Sequence, residues 1–270
     1  MNQSERAAHF QQLHARDKAF VIPNPWDVGS ARVFEALGFE ALATTSSGYA
    51  QTLGRLDGRV SAGEKLEHCR ALCHASSLPV SADLENCFAD DPEDVAAFLT
   101  RAGETGLVGG SIEDYTNNNS RPMYDFNLAV ERVQAAVEAV RKFDFHFTLT
   151  ARAEGLLRRT HDMDEVIRRL QAFEQVGADV LYAPSLTTLD EVSHVLAHVQ
   201  RPLNVLAPTC PGVSVQQMSD VGVKRISIGG ALARVMLGAM IDAGEEMLER
   251  GTFTWLEKAA SGRRLVDMFK

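Results

Sequence analysis

The sequence predicts a (β/α)8 TIM barrel: a single domain over residues 1–270, with 1–250 as the barrel and its N-terminal helix and 251–270 as a C-terminal packing segment. Three observations carry that expectation. Short apolar runs alternate with amphipathic stretches eight times, in chain order and with brief connections, and such alternation demands parallel strands. The 270 residues match the roughly 250 that eight such units require. No Gly-x-Gly-x-x-Gly follows the first apolar run, which argues against an open doubly wound sheet.

Composition narrows the class. With 45% hydrophobic and 23% charged residues, the chain can bury a sizeable core. A formal net charge of −9 disfavours nucleic acid or an anionic membrane as partner. No apolar stretch approaches the roughly 20 residues of a membrane span. The polar start, Met1 to Arg16, does not read as a signal peptide, so a cytoplasmic location is expected. Cys69, Cys73, Cys87 and Cys210 show no metal-binding spacing and read as packing groups.

Taken in order, residues 3–16 predict a polar helix across the outside or base of the barrel. Residues 19–22 predict the first strand, stopped by Pro23 and Pro25, with a helix over 28–37 closed by Gly38. Strand 41–44 runs into the turn Ser46-Ser47-Gly48-Tyr49, then a glycine-bearing loop with Asp57, then a helix over 62–76. Strand 80–83 follows, and Asp91-Pro92-Glu93 opens the next helix. Strand 107–112 leads to a loop, 115–125, and a helix over 127–142. The remaining units pair strands 146–150, 179–182, 203–206 and 225–228 with helices 164–176, 189–198, 214–219 and 231–250. Past Gly251, an apolar tail carrying Phe253, Trp255 and Phe269 has no barrel position to fill, so a neighbouring subunit is its expected cover.

Barrel enzymes place their chemistry at the C-terminal ends of the strands. Those ends carry Ser47 and Gly48, Asp83 and Glu85, Glu113, Arg152, and Tyr182 and Ser185, with Asn204 inside the seventh strand. Asp83 and Glu85 are two apart, the spacing that puts both on one face of a strand. Acids crowding one cavity are costly without a positive partner, and a hard oxygen-seeking ion such as Mg²⁺ (or Mn²⁺) fits Asp83, Glu85 and Glu113. Alternatively, Arg152 is a structural partner of Glu154 or Glu113. Gly229-Gly230 reads either as a phosphate site or as close packing. Cys87 and His161 read as incidental loop residues. Lys18 and Lys224 precede strands rather than end them, which disfavours a Schiff-base aldolase.

These residues, in this order, resemble the isocitrate lyase/phosphoenolpyruvate mutase superfamily over almost the whole chain. Asn24 to Arg32 is similar to that family's opening loop, and Ser47-Gly48-Tyr49 to its carboxylate-holding Ser-Gly motif. Ser81-Ala82-Asp83-Leu84-Glu85 resembles its metal motif, while Ile112-Glu113-Asp114 and Thr150-Ala151-Arg152 resemble its Ile-Glu-Asp and Ala-Arg-Thr segments. The resemblance implies Mg²⁺ or Mn²⁺ bound directly by Asp83, with Glu85 and Glu113 acting largely through water. It implies a 2-oxo or 2-hydroxy acid substrate, a last helix exchanged between subunits, and a homo-dimer or homo-tetramer. Two departures stand out. Glu85 replaces the usual aspartate and is long enough to reach the metal directly. The lyase branch's Lys-Lys-Cys-Gly-His gating loop corresponds to residues 115–125, which contain no lysine, cysteine or histidine.

The expected activity is a Mg²⁺-dependent lyase that cleaves a C–C bond in a small 2-oxo (or 2-hydroxy) dicarboxylate through a metal-stabilised enolate, as oxaloacetate decarboxylases or 2-methylisocitrate lyases do. Arg152, Glu113 and Tyr49 are its expected catalytic groups. Ser47, Gly48, Tyr49, Arg152, Asn204 and Tyr182 are the expected substrate contacts, and Tyr49, Tyr115 and Tyr182 the candidate proton donors. Two alternatives stay open: carbon–phosphorus chemistry on phosphonopyruvate, with Arg121, Arg158 or Arg159 meeting the phosphonate, and a non-catalytic carboxylate-binding barrel.

Overall fold

Chain entry sets the base of the molecule. In the computed structural model, which describes residues 1–270, helix α1 (Gln3–Ala15) is started by a reciprocal cap between Asn2 and Glu5. Its apolar face buries Ala7, Phe10 and Leu13 against Phe20, Ile22, Ala41 and Val108. The barrel then runs β1 (Phe20–Ile22), α2 (Val28–Ala36), β2 (Leu42–Ala43), α3 (Ser46–Thr52), α4 (Ala62–Ala75) and β3 (Val80–Asp83). Next come α5 (Pro92–Gly103), β4 (Gly109–Glu113), α6 (Phe126–Val140), β5 (Thr148–Arg152), α7 (Gly155–Arg158) and α8 (Met163–Gln175). It finishes with β6 (Val180–Tyr182), α9 (Leu189–Leu196), β7 (Leu203–Leu206), α10 (Val215–Asp220), β8 (Arg225–Ser227), α11 (Ala231–Arg250) and α12 (Gly262–Phe269).

All eight strands are parallel and pair in the order β1-β8-β7-β6-β5-β4-β3-β2. The barrel is nearly closed. Across the β1–β2 gap the Ala43 amide donates to Pro23 O at 3.0 Å, and Asn24 donates from Nδ2 to Thr44 O. Asn24 Oδ1 also accepts from the amides of Ile228 and Gly229, so one side chain laces the ends of three strands. The main core fills the space between strands and helices, with Leu42, Leu99, Leu149, Phe147 and Phe173 fully buried.

Three differences from expectation are local, and a further feature lies at the C-terminus. Ser46–Thr52 is a helix rather than a turn, because Thr45 caps it by accepting from the Gly48 amide. The ladder carries β4 on to Glu113 and β5 to Arg152, in mutual register. Gly155–Arg158 makes a short extra helix. Finally, α12 rests on α2 of the same chain, with Arg32 Nη1 donating to Phe269 O at 3.4 Å. By contrast α11 buries only Ala233 and Glu246, and leaves Val235, Met240, Ile241 and Leu248 exposed. No helix is long and apolar enough to cross a membrane.

His14 sits in the basal cluster, edge-on to Phe10 and Phe20. Burial, aided by the Arg225 charge, pushes its pKa down to about 3. The folded state therefore keeps His14 neutral where the unfolded chain titrates near 6.5, so this contribution is present above pH 6.5 and is lost as pH falls through that window. Denaturation at pH 6.5 and pH 5 should show a loss of about 2 kcal/mol from this group, and His14→Phe should lose correspondingly less.

Candidate active site

At the C-terminal ends of the strands lies a cavity of about 150 Å³, lined by Ser47, Asp83, Arg152, Tyr182, Asn204 and Arg225 among others. A wider opening adjoins it, sharing Ser46, Asp57 and Arg152 and adding Glu85, Glu113 and Asn117. Arg152 is the hub. Its Nη1 lies 3.0 Å from both Asp83 Oδ1 and Glu113 Oε1, and its Nη2 2.8 Å from Glu154 Oε1. The guanidinium also packs over the Tyr182 ring, 4.8 Å from its centroid. Both structural partners expected for Arg152 are therefore present, and Asp83 is a third.

The electrostatics follow from sharing one guanidinium. Burial works against the Arg152 charge, but Glu113, Glu154 and Asp83 outweigh it and hold its pKa well above the usual value. Burial likewise opposes ionisation of Asp83, but Arg152, Lys65 and the Ser46 amide win and keep its pKa low. Glu113 has Arg152 alone to offset burial and the neighbouring acids, and its pKa is raised well above normal. Burial pushes Glu85 up to about 7, opposed by Lys65 and reinforced by Asp83. Asp83 and Glu113 thus differ because only the first has several positive partners.

The donor set suits a hard divalent cation. Asp83 ends β3 and Glu113 ends β4, and Glu85 lies past β3 in a positive-φ turn rather than on the strand face. Burial holds both glutamates above the usual carboxylate pKa, and buried Glu85 Oε1 has no hydrogen-bond partner. As the side chains stand, no three are gathered closely enough to hold an ion: Arg152 lies between Asp83 and Glu113, and Glu85 leans toward Lys65 at 3.9 Å.

Two expected site residues are not brought here. Tyr49 lies on the far side of α3, stacked on His68 with centroids 3.8 Å apart, its hydroxyl donating to Glu64 O. Gly48 spends its amide on Thr45, and a Cβ there would meet Thr45 Cγ2 at 2.6 Å, so its role is close packing. Asn204 does line the cavity, but as a brace between Arg225 and Ser227. Asp114 turns outward, bound to Arg169 and to the Glu154 amide. Gly229 and Gly230 read as close packing: the first gives its amide to Asn24, and a Cβ on the second would meet Ser47 Oγ at 2.4 Å. Arg121 is tied to Asp125 on the surface, away from both openings, and Arg158 stacks on Tyr115. All four cysteines are free and buried.

The loops over the site are mutually fitted. Gly58 has φ +72°, and a Cβ there would meet Asn117 Oδ1 at 2.6 Å, while Asn117 Nδ2 donates to Glu85 Oε2. Lys65 and Arg132 were not anticipated from the sequence. Both replace an apolar residue in a helical stripe, Lys65 with Cys69 and Leu72 and Arg132 with Ala129, Val133 and Ala136, and that interruption is the signal that reveals them. Arg132 donates to the carbonyls of Glu113, Asn86 and Ala89. It thereby anchors the strained turn in which Glu85, Cys87 and Phe88 all have positive φ.

Eight parallel strands with a charged, acid-rich mouth at their C-terminal ends define a barrel of the enzyme type. The chain belongs to the phosphoenolpyruvate phosphomutase family, whose model matches residues 10–248, within the isocitrate lyase/phosphoenolpyruvate mutase superfamily. A solved structure from Burkholderia cenocepacia J2315, described only by class as a lyase/mutase, is 48% identical, covers 99% of this chain and 96% of its own, and superposes with TM-score 0.96. A solved 2,3-dimethylmalate lyase is 25% identical over 98% and 95% of the two chains, with TM-score 0.86. An uncharacterized protein of Mycobacterium tuberculosis is 28% identical over 96% of each chain. Relatives between 22 and 26% identical carry the names 2-methylisocitrate lyase, 2,3-dimethylmalate lyase and oxaloacetate decarboxylase.

Arg132→Met leaves three buried carbonyls without their donor and frees the turn that carries Glu85. It should cost about 3 kcal/mol or more in urea denaturation.

Proposed function

We propose that the chain is a carbon–carbon lyase for a small 2-oxo or 2-hydroxy dicarboxylate, working with Mg²⁺ or Mn²⁺ held by Asp83, Glu85 and Glu113. The observation that supports this reading is the meeting of Asp83 from β3 and Glu113 from β4 on Arg152, with the buried and unpartnered Glu85 Oε1 at the same opening. A bound divalent ion would supply Lewis-acid stabilisation of the charge that builds on the substrate's C2 oxygen. Arg152, whose charge is held firmly, and the Ser47 hydroxyl would hold the C1 carboxylate. Leu157 and Tyr182 line the wall of the inner cavity.

The loop at 115–125 offers no lysine, cysteine or histidine as acid. Of the candidate tyrosines, Tyr182 lines the inner cavity, Tyr115 the outer opening and Tyr49 neither. Burial raises the Tyr182 pKa to about 12, so its phenol keeps its proton at neutral pH and is a weak acid toward a substrate. A reaction that needs charge stabilisation more than a strong acid, such as loss of CO₂ from a β-keto acid, asks least of this arrangement.

Pyruvate release from oxaloacetate tests the reading directly. The protein should accelerate it in Mg²⁺, EDTA should abolish the effect, and Asp83→Ala should lower kcat/KM by at least about 100-fold. A rate no different from background in Mg²⁺ would remove oxaloacetate from the substrate list, and the same result across 2-oxo and 2-hydroxy diacids would remove the lyase reading.

We also propose a homo-dimer or homo-tetramer in which a second copy covers α11, since that helix leaves Val235, Met240, Ile241 and Leu248 exposed. Light scattering should report an oligomer, and the pair Met240→Asp, Ile241→Asp should shift it toward monomer. A monomeric wild type would refute this.

A further inference from the structure

Beneath the mouth, the cavity ends on a buried cation that the proposed chemistry leaves unused. Arg225 opens β8 and shares its inward face with Ser227, two residues on. Its Nε donates to Asn204 Oδ1 at 2.8 Å and its Nη2 to Thr150 Oγ1 at 3.0 Å. Asn204 is fixed in turn by donating to Ser227 Oγ at 2.9 Å. The remaining nitrogen, Nη1, is buried and has no partner, and the same is true of Ser111 Oγ, which lines the same cavity.

We propose that this floor is a second anion subsite, built on Arg225 and Ser111, which takes the distal carboxylate of a dicarboxylate ligand. The proposal rests on the reading of the mouth as a carboxylate site and gives that ligand its second charge.

Charge balance is the first support. Desolvation is the main influence on Arg225 and lowers its pKa to about 10, with Tyr182 acting in its favour and Arg152 against it. It is still a cation at neutral pH, and no carboxylate figures among the groups acting on it. A buried charge without a counter-ion costs several kcal/mol. A water molecule would satisfy Nη1 as a hydrogen-bond donor, but it would leave the charge unbalanced. A purely structural tie between β5, β7 and β8 needs only the two bonds already made, and a neutral amide would make them without that cost.

Position is the second support. Thr150, which binds Arg225, precedes Arg152 by two residues on β5 and faces the same way. The guanidinium of Arg225 therefore lies one inward-facing layer below Arg152, about 7 Å along the strand. The two arginines face one cavity from its mouth and its floor. Its volume of about 150 Å³ equals that of roughly five waters at about 30 Å³ each, which is room for one small organic acid. A ligand with a single carboxylate can engage only one end.

Lactate and malate isolate this feature, because both are 2-hydroxy acids and malate adds only the distal carboxylate. Each is titrated into the full-length protein with Mg²⁺ by calorimetry, a measurement that needs no turnover. Wild type should bind malate about 10-fold or more tighter than lactate. Arg225→Gln should weaken malate by about 10- to 100-fold while moving lactate less than about threefold. Equal affinity for the two acids in wild type, no binding of either, or an equal loss of both in the variant would overturn the subsite. Should Arg225→Gln fail to fold, a wild-type crystal soaked in malate decides the matter: a carboxylate oxygen in hydrogen-bond contact with Arg225 Nη1 supports the proposal, and malate seated elsewhere or an open floor refutes it. Malate preference with no turnover of any 2-oxo or 2-hydroxy diacid would sink the lyase reading and leave the subsite standing, and turnover without that preference would do the reverse.

Discussion

One guanidinium organises the mouth of this barrel. Arg152 reaches Asp83 on β3, Glu113 on β4 and Glu154 just beyond β5, and each of those acids would be hard to keep buried without it. The arrangement needs three neighbouring strands to end at fixed positions relative to one another. The parallel ladder supplies this, pairing Glu113 with Arg152 and Asp83 with Ser111. A slip of one residue would turn every one of these side chains to the other face. The site is therefore a consequence of strand register before it is a consequence of any loop.

A second set of contacts holds that register at its edges. Asn24 stitches β1 to β2 and β8 where the ladder is incomplete. Asp114, bound by Arg169 and by the Glu154 amide, fixes the departure of the chain from β4. Arg132 ties the strained turn after β3 to the end of β4. Of these groups only Asn24 lines the cavity, yet together they set where the acids and Arg152 lie. Charged residues in this protein thus do two jobs, and burial alone does not tell which.

Charge is distributed unevenly along the barrel axis. At the mouth, burial and the neighbouring acids outweigh Lys65 and Arg152, so Glu85 and Glu113 hold protons more tightly than usual. The floor is short of anions, so Arg225 holds its own less tightly. The base below is apolar enough to keep His14 neutral. A ligand carrying negative charge at both ends, accompanied by a divalent ion at the mouth, would relieve both imbalances at once.

Much of this was legible in the sequence. Alternating apolar and amphipathic runs call for a parallel sheet covered on both faces, and eight units without a Gly-x-Gly-x-x-Gly favour the barrel over the open sheet. The strand-end acids and Arg152 could be read from their positions, since period-2 geometry and the barrel's polarity say where strand tips point. The fate of Tyr49 and Gly48 could not, because it depends on Thr45 capping a short helix and rotating Tyr49 away onto His68. Lys65 and Arg225 were equally out of reach as site residues. One lies on a helix and the other at the start of a strand. Only the packing of α4 on β3 brings the first beside Glu85, and only the closure of β8 against β7 brings the second to the cavity. Local periodicity determines which residues share a face, but which faces meet is settled by long-range packing, and that information belongs to no single stretch of chain.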